Sequence, residues 1–353
     1  MMRHRSVRPD VLSLRASRVV VGVDFGEPSL AAARWVARHL APDAELVLVN
    51  VLPVPDAPDF LRDHLRSPDA LVDQVAPPML GGLQGFADTL GARQIRVVLR
   101  VGDPAEQLAD VAFTLAADLI CVGRPRHRGG TARLGRNTMD RLLRRTTIPL
   151  LQPAGAMDAP PASMLAAVDG GWNSGSVLAT AVARAAQCEA RLTALHVLDE
   201  DVRAYVRAME VAVGAAANAD GAEESLRAAA ARWLVTSLEA AGARRGRCDA
   251  LVGRGDPGAE ILATAERVGA DLILLGRSGQ NAVSAGAVGS TTRLVLRAAT
   301  CSVLVVPDAV VRVDPGGGPP HRRSRVAVPS VGARPVLQAS DGAMPPAARW
   351  KTA

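Results

Sequence analysis

The sequence predicts an α/β protein in which one parallel-sheet domain is built twice. Three observations carry that expectation. Apolar runs of strand length alternate with stretches whose apolar residues recur at helical spacing, as a parallel sheet with crossover helices requires. The alternation then repeats, and from the third strand onward it does so without a gap at an offset of 153, where Gly102-Asp103-Pro104 meets Gly255-Asp256-Pro257 and Ala117-Asp118-Leu119-Ile120 meets Ala270-Asp271-Leu272-Ile273. Finally, Leu272 to Val306 reads as strand, glycine-rich loop, helix and strand.

In the first half, Arg18 to Asp24 is a buried strand ending in an aspartate, and Ser29 is placed to start a helix over Leu30 to Leu40. Strands follow at Glu45 to Val51, Ile95 to Val101, Asp118 to Val122 and Ile148 to Gln152. Between Pro53 and Gly91, several prolines and the pair Gly81-Gly82 predict a weak or interrupted helix. Pro104 suits the first turn of the next helix. In the second half, Met164 to Asp169, Arg191 to Val197, Cys248 to Val252, Asp271 to Leu275 and Cys301 to Val306 are the corresponding strands. Ser174 follows Asp169 at the spacing by which Ser29 follows Asp24. Asp201 to Ala241 predicts two helical stretches, the second amphipathic around Leu226, Trp233 and Leu238. The expected organisation is a basic arm at 1–17, domains at 18–154 and 164–308, a linker at 155–163, and a disordered basic tail at 309–353, rich in Pro, Gly and Arg without periodicity.

The formal charge of +6 sits in the ends of the chain, +3 in residues 1–17 and +5 in 309–353, which leaves −2 for the body. Aromatic residues make up 3%. Neither a phosphate-backbone surface nor stacking platforms are indicated, so nucleic acid is not an expected partner. Lys351 is the sole lysine, which excludes Schiff-base chemistry and a phosphate-loop lysine from the body. No apolar stretch has membrane-spanning length, and the N-terminal arm lacks the apolar segment of a signal peptide. Cys121, Cys188, Cys248 and Cys301 form no C-x-x-C pair and no ligand cluster with histidine, so neither a disulfide framework nor a metal site is expected. A cytoplasmic location follows as the expectation.

The loop after Leu275 supplies the chemistry. Gly276, Gly279, Gly289 and Ser290 stand at the spacing Gly-two-Gly-nine-Gly-Ser, between a strand end and a helix start. Glycines there let backbone N–H groups approach an anion, and the helix adds its positive end. This spacing resembles the nucleotide signature of the universal stress protein family, over roughly 18–154 and 164–308. The resemblance implies two tandem Rossmann-like (adenine nucleotide α-hydrolase-like) domains, each a five-stranded sheet of order 3-2-1-4-5 with helices on both faces. Ligands in such sheets bind where the strand order reverses. The resemblance therefore implies ATP, with or without magnesium, in the second domain. Asp169 would accept from the adenine amino group, and Ala167 and the main chain of Val197 would border the base. Gly276 and Gly279 would pass close to ribose and phosphates, and Gly289, Ser290 and Thr291 would hold the phosphates. Gly171 departs from the serine that the family often places there.

The first domain departs further. Arg126, Arg136 and Asn137 replace Gly279, Gly289 and Ser290, and Pro125 replaces Ser278. Asp24 and Gly123 remain as its site residues. The loop, with Arg124, Arg126, His127, Arg128, Arg133 and Arg136, reads either as an anion site gripping through side chains or as a lost site with solvated arginines, the latter favoured by the usual solvation of charge runs. His127 receives no catalytic role, and His196 reads as a packed strand histidine.

The function that follows is an ATP-binding stress sensor or regulator, not an enzyme. No Gly-x-x-x-x-Gly-Lys loop and no acidic pair for magnesium and water are present, and no catalytic residue is assigned. The alternatives are a slow ATP hydrolase or self-phosphorylating protein using Ser290 or Thr291, and a scaffold without nucleotide. Apolar edge strands need cover, and the family pairs its fifth strands across a two-fold axis. The two halves are thus expected to pair Leu150–Gln152 antiparallel with Val303–Val306 as a pseudo-dimer, with a separate homodimer through Cys301–Val306 as the alternative.

Overall fold

A computed structural model describes residues 16–53, 68–124, 132–155, 157–200, 204, 208, 219–244, 246–278, 288–307 and 337–338. In the first half the elements are β1 (Arg18–Gly22), α1 (Glu27–Trp35), β2 (Glu45–Leu52), α2 (Pro68–Leu90), β3 (Gln94–Val101), α3 (Pro104–Thr114), β4 (Leu119–Val122), α4 (Ala132–Arg145) and β5 (Leu150–Gln152). The second half holds β6 (Ser163–Val168), α5 (Ser174–Cys188), β7 (Arg191–Leu198), α6 (Ala219–Ala240), β8 (Cys248–Arg254), α7 (Pro257–Arg267), β9 (Leu272–Gly276), α8 (Ser290–Ala298) and β10 (Ser302–Val306). A final two-residue strand, β11 (Leu337–Gln338), lies antiparallel on β3.

All strands join one sheet, β11-β3-β2-β1-β4-β5-β10-β9-β6-β7-β8. Each half therefore has the order 3-2-1-4-5, parallel throughout. The halves meet antiparallel, with Val303 opposite Gln152, Leu304 opposite Leu151 and Val305 opposite Leu150. Alternate strand residues feed two cores that both cross this seam. Val19, Val21, Leu46 and Leu304 face one way, under α1, α2, α5 and α6. Val20, Ile120, Ile273 and Val303 face the other, under α3, α4, α7 and α8. Strands buried on both faces explain why the runs read as continuously apolar rather than alternating.

The repeated motifs have structural roles. In Gly-Asp-Pro the glycine takes positive φ (+130° at Gly102, +101° at Gly255), the aspartate caps the helix, and proline fills its first turn. Asp103 accepts from the N–H of Glu106 at 3.0 Å, and Asp256 from that of Ala259 at 2.7 Å. The aspartate of Ala-Asp-Leu-Ile ties down the start of the neighbouring first strand. Asp118 accepts from Ser17 and Arg18 N–H groups at 2.7 and 3.0 Å, and Asp271 from Ala162 and Ser163 at 2.8 and 3.0 Å.

Three arginines staple the seam by donating to carbonyls across it. Arg124 reaches the carbonyls of Ala299 and of Cys301 (2.9 Å), Arg277 that of Thr146 (3.5 Å), and Arg184 that of Leu40 (3.0 Å). Arg124 and Arg277 are repeat equivalents, as are Thr146 and Ala299, so two of the contacts are reciprocal. The carbonyls of Ala299, Thr146 and Leu40 stand at helix C-terminal ends, where the backbone dipole favours a cation. Burial pulls the Arg124 and Arg184 guanidiniums below their ordinary range, with the nearby thiols Cys301 and Cys188 opposing.

Three expectations are corrected. Helix α2 runs unbroken over Pro77, Pro78 and Gly81-Gly82. Buried Ala76, Leu83, Ala87 and Leu90 hold one face against the sheet, so tertiary burial overrides the weak local propensity. The first helix starts at Glu27 rather than Leu30 and closes in a π-helical turn, Val36–Leu40. The tail is not structureless throughout, because Leu337–Gln338 pairs with Val98 and Leu99. The rest of the tail, the arm before Ala16 and the first helical stretch expected after Asp201, apart from 204 and 208, lie outside the described residues. In α6, Leu234 and Leu238 are buried, with Leu226 and Trp233 half-buried beside them.

Candidate functional site

The crevice of the second half opens where the sheet order reverses, between the carboxyl ends of β6 and β9. Asp169 follows β6 directly and is exposed. Its Oδ1 accepts from the Gly171 N–H at 2.8 Å and from the Ser174 hydroxyl at 3.1 Å, and the Gly170 N–H donates to the Ser174 hydroxyl at 3.1 Å. Asp169 is thus a loop cap as well as a rim residue. Ala167 lies inside β6, buried, paired with Leu195 and Leu275. Val197 pairs with Gly253 one residue beyond the last β6 partner, so its backbone borders the crevice from β7.

On the other rim, Gly276 ends β9 opposite Val306. A Cβ placed there would meet the Asn173 amide nitrogen at 3.2 Å. Asn173 is buried and donates to the Val306 carbonyl at 3.3 Å. Helix α8 begins at Ser290 without a side-chain cap, and its first backbone bond runs from Arg293 to the Gly289 carbonyl at 3.1 Å. The N–H groups of Ser290, Thr291 and Thr292 therefore point out of the helix start. Gly289 is corrected: its N–H donates to the Arg277 carbonyl at 2.9 Å, so it closes the loop rather than donating to an anion. Gly279 lies outside the described residues, so Gly276, Ser290 and Thr291 are the members of the motif that the structure places together.

Sequence reading missed two neighbours. Buried Thr292 donates its hydroxyl to the Gly276 carbonyl at 2.8 Å and ties α8 to β9. Asn173 joins the first loop to the end of the sheet. Neither stands inside a recognisable motif; a polar residue in the first turn of a helix facing a strand end was the available signal.

His196 packs as expected. Its Nδ1 donates to the Val168 carbonyl at 2.9 Å, and its ring meets Trp233 edge-on at 5.4 Å. Asn50 holds the same place in the first half and donates to the Val23 carbonyl at 2.7 Å. In each half, then, a side chain of the second strand steadies the carbonyl before the aspartate.

The first-half crevice differs. Asp24 repeats the cap, accepting from Gly26 N–H at 2.9 Å and from the Ser29 hydroxyl at 2.6 Å. Phe25 takes the left-handed conformation (φ 60°) at the place of Gly170 (φ 83°), with its ring against Gly82. A Cβ at Gly123 would lie 2.7 Å from the backbone of Pro28 and Ser29. The start of α1 thus sits directly on the end of β4, where the second half has the Asn173 side chain. Arg124 is corrected: it is neither a solvated loop arginine nor an anion grip but a seam staple. Arg126, His127 and Arg128 lie outside the described residues, and the side chains of Arg133, Arg136 and Asn137 are not described.

The model of the universal stress protein family matches residues 16–151 and 162–307. The chain belongs to the universal stress protein family. Solved structures agree in fold. A universal stress protein from Archaeoglobus fulgidus DSM 4304 aligns with a TM-score of 0.55 at 17% identity, covering 84% of this chain and 99% of its own. A functionally unknown protein from Pseudomonas aeruginosa PAO1 aligns at 0.53 and 16%, covering 84% and 94%. A putative universal stress protein from P. aeruginosa UCBPP-PA14 aligns at 0.50 and 16%, with the same coverage. No curated protein matches.

Further observations bear on chemistry. Among the described residues no group of three or more His, Cys, Asp or Glu is placed to hold a metal, and no helix is long and apolar enough to cross a membrane. All four thiols are held above their ordinary pKa chiefly by burial, opposite to the shift that activates a nucleophile. A groove of about 230 Å³ lies along β8, with Leu195, Leu251, Val252, Glu260 and Arg267 in its wall.

Proposed function

We propose that the second half binds ATP and that the protein acts as a nucleotide-dependent stress regulator in the cytoplasm rather than as an enzyme. The observation that carries this reading is the uncapped start of α8 facing the Gly276 strand end, at the point where sheet order reverses. Asp169 and the Val197 backbone take the adenine, Ala167 lies beneath it, Gly276 and Gly279 adjoin ribose and phosphates, and the N–H and hydroxyl groups of Ser290 and Thr291 hold the phosphates. Magnesium, where present, arrives on the triphosphate. The first half, with α1 seated on Gly123, contributes structure rather than a second site.

The internal pairing of β5 with β10 gives one chain the form of a dimer, and no second copy is needed to cover either strand. Calorimetric titration of the full chain with ATP tests the reading. About one site per chain is expected; two equivalent sites, or none, would overturn it. Turnover far below the ordinary enzymatic range of ~1–10³ s⁻¹ is expected in the same preparation.

A further inference from the structure

Trp172 stands in the loop that links the two rims of the second-half crevice, and it is 63% exposed. An indole left in water forfeits most of the stabilisation that burial of so large an apolar surface supplies. A mobile loop tip would explain such exposure, but this loop is pinned. Gly171 on one side donates to Asp169, and Asn173 on the other is buried against Gly276 and Val306. Ser174 donates its hydroxyl to Asp169, and its N–H bonds to the Gly171 carbonyl at 3.0 Å. The exposed indole is therefore carried by a fixed backbone, in the short loop between Asp169 and Asn173.

The first half shows what the position looks like without that role. Glu27 is the repeat equivalent of Trp172; it lies in the first turn of α1 and pairs with Arg34 at 3.1 Å, an ordinary surface arrangement. Pro28 replaces Asn173, and its backbone abuts Gly123. The aromatic residue thus accompanies the half in which the helix start leaves Gly276 to a side chain, and is missing where the backbone closes the gap.

We infer that Trp172 is a specificity-determining residue whose indole covers the nucleoside part of the ligand. This rests on the ATP-site reading above. A flat π surface carried three residues after Asp169, in the same pinned loop, suits an adenine or the sugar attached to it, and it would discriminate a nucleoside triphosphate from a bare polyphosphate.

The test uses the full chain with ATP and with inorganic tripolyphosphate. Saturating ATP should change tryptophan emission, and Trp172→Phe should remove most of that change while binding ATP within about threefold of the parent. Trp172→Ala should weaken ATP binding by about tenfold, the scale of one lost base–aromatic contact, and leave tripolyphosphate binding unchanged. Calorimetric binding of ATP with unaltered emission, or an equal loss for both ligands in Trp172→Ala, would overturn this inference and leave the ATP site standing. No binding heat from the parent protein would overturn the site itself.

Discussion

The two halves share a strand order, a capped aspartate and a seam contact, yet differ where the first helix meets the end of the fourth strand. In the first half Pro28 and Ser29 bring backbone to within 2.7 Å of a Cβ built on Gly123, and Phe25 is held in a left-handed conformation above Gly82. In the second half Gly170 adopts that conformation without side-chain cost, and Asn173 meets Gly276 through its amide. What the halves keep in common serves folding: the Gly-Asp-Pro cap, the aspartate clamping the first strand, and the Asn50 or His196 bond to the carbonyl before the rim aspartate. What separates them is the packing of the first helix on the end of the fourth strand, by backbone in the first half and by the Asn173 side chain in the second.

The largest expected effect tests this contrast at the phosphate loop. Gly289→Arg copies the residue of the first half. Gly289 has φ −59° and ψ 146°, accessible to any residue, so the fold should persist with an unchanged far-ultraviolet dichroism spectrum. ATP affinity should fall at least 100-fold by calorimetry, because a long side chain then occupies the entrance to α8. Retained affinity would break the idea that the two loops differ in function.

The seam offers the next test. Arg124→Ala removes two charge-assisted bonds to carbonyls of the other half and should cost about 1–3 kcal/mol in urea unfolding. Arg277→Ala removes the reciprocal bond to the Thr146 carbonyl and should destabilise in the same direction. No loss from either variant would show that the reciprocal pair does not hold the seam. A smaller effect is expected at the second-strand clamp. Asn50→Ala and His196→Ala each leave a strand-end carbonyl without its partner and should cost about 1 kcal/mol. His196→Asn, copying the first half, should restore most of the loss. Smallest is the tail: deleting 309–353 removes a two-residue pairing on β3 and should shift the melting temperature by under about 4 °C, the scale of a ~1–2 kcal/mol change in a domain of this size. A larger shift would show that the tail covers the β3 edge in earnest.

The sequence by itself determined the fold class and the duplication, because alternating apolar runs and motifs that recur in the second half are local patterns that survive being read one residue at a time; the strand order came with the family resemblance that the glycine signature carries. From the same resemblance Asp169 and Gly276 could be placed at the ends of neighbouring strands and Ser290 at the helix start that follows, and the structure has them there. The helix over Pro77 and Pro78 was not legible, since its stability comes from Leu83, Ala87 and Leu90 meeting a sheet that lies elsewhere in the chain. Arg124, read as part of a charge run, could be assigned only once β5 and β10 had paired and brought the carbonyls of Ala299 and Cys301 within reach, 175 and 177 residues away. The Gly289 N–H, read as an anion donor, could be assigned only once the loop had closed on the Arg277 carbonyl. Tertiary structure decided these matters because a hydrogen bond depends on distance in space, and no spacing along the chain specifies which carbonyl will lie 3 Å from a given donor.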